Sequence, residues 1–409
     1  MAQVVDLKIK RILFLSFFYP PDLCAGSFRS AALIRALRAN APSERVHIDV
    51  ITTKPNRYQS FTETAKDIEC EDGVRVRRIP LPRQRAGVLG RAYAFLCYAQ
   101  AVVRLVRGND YDLVFATSSR MMTAVLGVFI AACKRARVYL DIRDIFVETV
   151  EGVYHSPLWR LGISLLDLLE RWALRRADKI NLVSPGFLPY FQRRYPRCSF
   201  SFFSNGVDAP FMEFDNAAAS MEKQARGLLR VLYAGNIGEG QGLDRILPEL
   251  ARALSGRAIF QVIGDGGRLD ALKSELTKKG VDNVEIVPPV PRKELISFYE
   301  RADVLFLHLN DLAAFRRVLP SKLFEYAATG KPIWAGVAGY AEDLIRSEIA
   351  NAVVFSPCNL QAALQSFDRL NLCEVDRGGF VEKFARRRIM DEMAKDILEL
   401  TDFFDNGQN

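Results

Sequence analysis

Residues 230–250 read RVLYAGNIGEGQGLDRILPEL. The first five residues, ending at Ala234, form a short apolar run. The next eight, Gly235 to Gly242, hold four glycines, and from Leu243 to Leu254 apolar residues recur at helical spacing. A strand, a glycine-rich turn and a helix in that order open a parallel α/β sheet, whose ligands sit beyond the strand carboxyl ends. Glycines there let the backbone approach a phosphate, and free N–H groups at a helix start accept it. The loop fits neither GxGxxG nor the P-loop, so it indicates a nucleotide-class ligand without identifying it.

The same rhythm runs through the whole chain. Apolar runs of four to seven residues fall at 11–17, 46–52, 74–79, 113–116, 138–141 and 179–183, and again at 230–234, 258–263, 284–287, 304–308, 332–335 and 352–355. Short apolar strands separated by helices predict parallel sheets covered on both faces. Two such series, in a chain of 409 residues, predict two doubly wound domains. The break is placed near 205–227, where Asn205-Gly206 is a turn dipeptide and 208–224 lacks strand periodicity. The domains are therefore expected at 1–205 and 206–380. Beyond them Phe384, Ile389, Met393, Ile397 and Leu400 predict one closing helix over 381–404.

Composition narrows the class. Apolar types make up 49% and charged types 25%, a globular balance that excludes a disordered chain. Seven scattered cysteines without a CxxC pair, and three dispersed histidines, suit neither a disulfide framework nor a zinc site. The apolar segments 92–103 and 121–133 are too short to span a bilayer and read as buried helices. Charge is uneven: residues 1–205 carry 31 Lys/Arg against 18 Asp/Glu, and residues 206–409 carry 25 against 30. A basic first half predicts an anionic contact there: nucleic acid, a lipid surface or a phosphate-bearing substrate.

Other strand ends carry further candidates. Tyr19 to Arg29, with Gly26 and Ser27, follows the first run and leads into a helical pattern. Asp141-Ile142-Arg143-Asp144 ends another; its charges must pair with one another or face a cleft. Gly264-Asp265-Gly266-Gly267 follows the run 258–263. Pro320-Ser321-Lys322 opens a short helix in which Lys322 and Glu325 share a face, as either an anion-binding pair or a local ion pair.

In order, Asn205-Gly206-Val207-Asp208, Ala234 to Leu243, Ile263-Gly264-Asp265-Gly266, and Pro320-Ser321-Lys322 through Glu325-Tyr326 to Gly330-Lys331-Pro332 resemble family-4 glycosyltransferases. The likeness covers nearly the whole chain. It is nearer to the bacterial surface-polysaccharide branch, which includes fucosamine transferases, and Arg143-Asp144 and Ser184-Pro185-Gly186 also fit that branch. The resemblance implies GT-B architecture: two Rossmann-like domains facing a cleft, a nucleotide-sugar site on the second, an acceptor site on the first, and a last helix crossing back. It further implies transfer of an N-acetylated or deoxyamino hexose from a UDP-sugar to a lipid-linked or growing surface glycan. Retention at the anomeric carbon, no metal and no other cofactor are part of the same expectation.

Glu325 matches the second glutamate of the family's E-x7-E signature, which holds the ribose hydroxyls, whereas Arg317 stands where the first belongs. Relatives place Arg and Lys in the loop at Gly235; here Asn236 and Gln241 stand instead. Lys322 is then the best-placed cation for a leaving diphosphate, with Arg316 or Arg317 assisting. The implied catalytic residues are Asp144, Lys322 and Glu325, with Asp144 as acceptor orienter or base. Gly235, Asn236, Gln241, Gly264, Asp265, Arg317, Ser321 and Leu323 complete the donor side, and Gly26, Ser27 and Arg143 lie on the acceptor side. The expected setting is cytoplasmic and peripheral on the inner face of the cell membrane, with no nucleic-acid partner. Membrane contact is expected through Arg75, Arg77, Arg78, Arg83, Arg85 and Arg91, with Tyr93, Phe95 and Tyr98 behind them. Two rivals remain, a UDP-sugar 2-epimerase and a noncatalytic GT-B binding protein.

Overall fold

The computed structural model describes residues 9–57, 63–82, 88–118, 120–153, 157–212, 227–401 and 403. It divides into two units, Met1–Arg57 with Thr62–Ser204 and Arg387–Asn409, and Tyr58–Phe61 with Asn205–Arg386.

The first unit holds strands β1 (Lys10–Leu15), β2 (Val46–Thr53), β3 (Ile68–Glu71), β4 (Val74–Ile79), β5 (Leu113–Thr117), β6 (Arg137–Ile142), β7 (Lys179–Leu182) and β8 (Phe200–Ser201). They form one sheet in the order β3-β4-β2-β1-β5-β6-β7-β8, parallel except for β3. The strand runs read from the sequence are all present. Their continuous apolar character follows from helices covering both faces. Two strands had no such run. β3 is an exposed edge whose Ile-Glu-Cys-Glu sequence hides it, although Asp72 and Gly73, both at positive φ, carry the Asp-Gly hairpin signal. β8 is only two residues long.

The second unit holds β9 (Leu229–Ala234), β10 (Ala258–Ile263), β11 (Val284–Val287), β12 (Val304–His308), β13 (Ile333–Gly336) and β14 (Ala352–Phe355). All are parallel, in the order β11-β10-β9-β12-β13-β14. Along β9, Leu232 and Ala234 enter one core and Val231 and Tyr233 the other, as the period of two requires. From β9 the chain steps outward through β10 to β11 and then crosses back to β12 on the other side of β9. The carboxyl ends of β9 and β12 therefore flank the switch point where such sheets bind ligands.

The tail is two helices, Gly378–Lys383 and Arg386–Glu399, not one. At the break Val207 donates its N–H to the Phe384 carbonyl (2.7 Å), and Arg386 returns its own N–H to the Val207 carbonyl (2.8 Å). Backbone groups used in that bridge cannot stay in an i to i−4 ladder. The Arg386 guanidinium secures the break by donating to the carbonyls of Asn205 and Gly206 and pairing with Asp208. In the first unit the last helix buries Met393 and Ile397, and Asp396 accepts from the Tyr139 hydroxyl at 2.8 Å.

Candidate functional site

The second unit brings most of the donor-side residues together. Gly235 closes β9 at φ +139° and Gly264 closes β10 at φ +148°. A Cβ on Gly264 would lie 1.9 Å from the Gly235 carbonyl oxygen, and one on Gly235 would lie 2.8 Å from Lys322 Nζ. The positive φ at both positions and the backbone contact at Gly264 favour glycine, and the space that Gly235 leaves admits the lysine. Asp265 follows; its carbonyl accepts from the Ile237 N–H at 2.9 Å, and its carboxylate accepts from the Gly266 N–H.

Asn236 and Gln241, the departures from the basic loop of relatives, bond to each other. Asn236 Nδ2 donates to Gln241 Oε1 at 2.8 Å, and the Gly238 N–H donates to the same oxygen at 3.2 Å. Their amides thus fold the loop on itself.

His308, at the end of β12, holds that loop from below. It is fully buried, contacts the Gln241 carbonyl through Nδ1 (2.6 Å), and receives the Cys358 N–H on Nε2 (3.0 Å). Nε2 as acceptor assigns the proton to Nδ1. Burial pulls the imidazole down to about 4. Between about pH 4 and 6.5 the unfolded chain binds the proton that the folded chain refuses, so stability falls as pH drops through that window. Melting curves across this range should show the loss, and His308→Gln should flatten its pH dependence; an unchanged slope would remove His308 from the account. Its place at a strand's carboxyl end was the available sequence signal.

Lys322 begins the helix Lys322–Ala328. The hydroxyl of Tyr326, one turn later, accepts the N–H of Ala234 at 3.0 Å and locks this helix to the end of β9. Lys322 Nζ consequently lies 3.6 Å from the Tyr233 ring centroid, buried, with no hydrogen-bond partner among the described residues. Burial lowers it to about 7, against a partial pull upward from Glu325. The local Lys322–Glu325 ion pair is not formed. Glu325 instead accepts from Arg292 at 3.1 Å and from the Tyr299 hydroxyl at 3.2 Å. Arg292 and Tyr299, together with Tyr326 and His308, are site-building residues that the motif reading did not single out.

Three donor-side positions stand differently. Leu323 is wholly buried in the core and its N–H is taken by the Pro320 carbonyl, so its side chain cannot reach a ligand. Ser321 is half-buried, and its hydroxyl does not cap the helix. Arg317 ends the turn Ala313–Arg317, half-buried and already engaged within the protein, while Arg316 bonds Asp311.

In the first unit Gly26 and Ser27 are buried in the first turn of the helix Ala25–Asn40. Asp141 is structural. Arg29 meets it through two nitrogens, each at 3.0 Å, and Asn181 adds a third bond, wholly inside the protein. Burial opposes its charge, but Arg29 and Arg143 hold the carboxyl below its usual range. Asp144, three residues on, is open to solvent. Surrounding protein would push its carboxyl up to about 6, opposed by Arg143 and Arg57. Water reaches the side chain and the two guanidiniums favour its charge, so Asp144 is ionised at neutral pH. The Arg143 N–H donates to Ser118 Oγ at 2.9 Å. No group of three or more His, Cys, Asp or Glu among the described residues is arranged to hold a metal ion.

Comparison with known proteins identifies these parts. Residues 28–199 match the family described as Glycosyl transferase 4-like domain, and residues 220–387 match Glycosyl transferases group 1. The chain is 26% identical over 211 residues to WcaI of Escherichia coli (strain K12), named as a colanic acid biosynthesis glycosyl transferase. That alignment covers 49% of this chain and 51% of WcaI, about half the length of the relative. Sucrose-phosphate synthase of Thermosynechococcus elongatus superposes with a TM-score of 0.66 at 15% identity, covering 98% of each chain. HepE of Anabaena, solved with UDP-glucose, gives 0.60 at 16% identity over 97% of each chain. At such identities the structural likeness establishes the fold, and the two domain matches, in this order and over most of the sequence, supply the rest: the chain belongs to the GT-B glycosyltransferases of the family 4 and group 1 kind.

Proposed function

We propose that this protein transfers a sugar from UDP to a lipid-linked or growing surface glycan, with retention at the anomeric carbon. One observation carries the proposal: a buried ammonium, Lys322 Nζ, with no hydrogen-bond partner among the described residues, set against Gly235 at a strand end of a switch point. An ammonium without a carboxylate there is costly unless an anion arrives, and a nucleoside diphosphate is the anion that fits a glycine-lined strand end. The C1–O bond to the diphosphate breaks, the leaving oxygen gains charge, and Lys322 meets that charge without a metal ion. The acceptor hydroxyl forms the new bond to C1 and loses its proton, with Asp144 assigned to orient it or take the proton. Glu325 holds the ribose hydroxyls. The name of WcaI supports a surface-glycan acceptor, and the UDP-glucose complex of HepE supports a uridine donor. An N-acetylated or deoxyamino hexose is the proposed sugar. A lipid-linked acceptor places the enzyme beside an anionic membrane surface, on its cytoplasmic face.

A panel of UDP-, GDP- and ADP-sugars tested by thermal shift should single out a UDP-sugar, since a ligand at about 100 times its Kd stabilises the folded state by about 2.7 kcal/mol. UDP release should then require a lipid-linked acceptor. Release without acceptor, accompanied by an altered free sugar, would identify an epimerase, and no shift with any nucleotide sugar would leave a binding protein of another kind.

A further inference from the structure

Part of the basic stretch expected to meet a membrane is engaged inside the first unit. Arg75 is bonded to Asp49, Arg77 lies beside the same carboxylate, and buried Arg78 pairs with Glu69. Phe95 and Tyr98 are core residues. Arg83 and Arg85 lie outside the described residues. Arg91 and Tyr93 are exposed.

Further exposed arginines accompany the helix Pro157–Leu174. Leu161, Leu165 and Leu168 recur at i, i+4 and i+7, so they form one stripe, and they are 80%, 58% and 62% exposed. Arg160, Arg175 and Arg176 are exposed on and just beyond the same helix, beside exposed Arg171, whose charge is shared with Asp167. Its acids are withdrawn: Asp167 is paired with Arg171 and Arg194, and Glu170 is buried with Tyr195 donating to it. A leucine stripe bordered by exposed arginines and cleared of exposed acid is complementary to an anionic lipid surface. A second copy of this chain would bring the same arginines against themselves, which the charge disfavours.

The neighbouring layer continues the stripe. The helix Met121–Lys134 packs against Pro157–Leu174 on one side and against Val88–Val106 on the other. It exposes Phe129, and Val88–Val106 exposes Leu89, Tyr93 and Leu96, again at i, i+4 and i+7, with Arg91 among them. In Val88–Val106 the exposed Leu89, Tyr93 and Leu96 lie in the amino-terminal half. In a βαβ layer that half adjoins the strand carboxyl ends, where ligands bind. No helix among the described residues is long and apolar enough to cross a membrane.

We propose that this three-helix face, centred on Leu161, Leu165 and Leu168, is a docking surface for anionic lipid bilayers. It beds the leucines at the headgroup boundary and presents the strand ends of the first unit to a lipid-linked acceptor. The inference deepens the acceptor assignment above and rests on it for its purpose, though not for the binding itself.

The full chain is to be sedimented with vesicles of phosphatidylcholine alone and of equal parts phosphatidylcholine and phosphatidylglycerol, at low and high salt. Binding is expected to the mixed vesicles only, and to weaken as salt screens the arginines. The triple variant Leu161→Ser, Leu165→Ser, Leu168→Ser should lose at least about tenfold in binding at low salt. It should keep a melting temperature near that of the wild type and its shift with UDP-glucose, because the substituted side chains are mostly exposed. Arg160→Glu with Arg175→Glu should abolish the preference for anionic vesicles. Wild-type binding by the leucine variant, equal binding to both vesicles, or none to either would overturn the proposal. So would a wild-type dimer that the leucine variant dissolves, which would make the face an interface between copies. A protein that binds vesicles as expected but no UDP-sugar would sink the transferase reading and leave this surface standing.

Discussion

Lys322→Met is expected to stabilise the protein at neutral pH and, at the same time, to lower turnover by at least tenfold, about 1.4 kcal/mol of barrier. Both halves follow from one fact, the buried ammonium with no hydrogen-bond partner among the described residues. Burial brings its pKa from 10.5 to about 7. Between those values the unfolded chain carries a proton that the folded chain has released, so stability rises with pH across the window. Below pH 7 both states are protonated, and the folded state bears the whole cost of an unsolvated charge. Methionine supplies a similar apolar stem and no charge. Its variant should gain most below pH 7 and lose the upward slope from about pH 7 to about 10. The same substitution leaves a departing diphosphate without its cation, hence the slower turnover. Melts at about pH 6 and about pH 9.5, beside steady-state assays, test both halves. A variant that loses stability and keeps its turnover would show that the lysine is structural.

Glu325→Ala should weaken UDP binding by about 1.5–3 kcal/mol, the worth of a charged hydrogen-bond partner. The structure adds a second effect. Tyr299 is fully buried and donates to Glu325, and Arg292 shares the same carboxylate. Truncation leaves both donors without that acceptor, so the alanine variant should also lose about 1–3 kcal/mol of folding stability. Glu325→Gln separates the two effects. It keeps an oxygen for the Tyr299 hydroxyl and should recover most of the stability, while a neutral amide remains a poorer partner for ribose. Calorimetry with UDP on the folded glutamine variant decides the matter, and wild-type affinity there would take Glu325 out of the donor site.

The sequence by itself determined the class of fold. Each strand read from an apolar run is a strand, because a parallel strand covered on both faces has to be apolar along its whole length, and that requirement is local. The glycines at 235 and 264 were legible for a similar reason: each ends a strand and precedes a helix. Edge strand β3 escaped because an exposed edge needs no apolar run, and the broken tail because its break is made by Val207, far away in the chain.

Which side chains meet was decided only by the tertiary structure. Periodicity tells which side of an element a residue occupies, but it cannot tell what covers that side. Asp141 and Asp144 are three residues apart, yet one is locked to Arg29 inside the core and the other is open to water. Leu323 and Lys322 are adjacent, yet one fills the core and the other reaches the space that Gly235 leaves. Lys322 reaches it because the Tyr326 hydroxyl, one turn further on, ties their helix to the last residue of β9, and neither segment encodes that bond alone. The leucines of Pro157–Leu174 show the same limit from outside: their spacing defines a stripe, and only the packed chain leaves it uncovered.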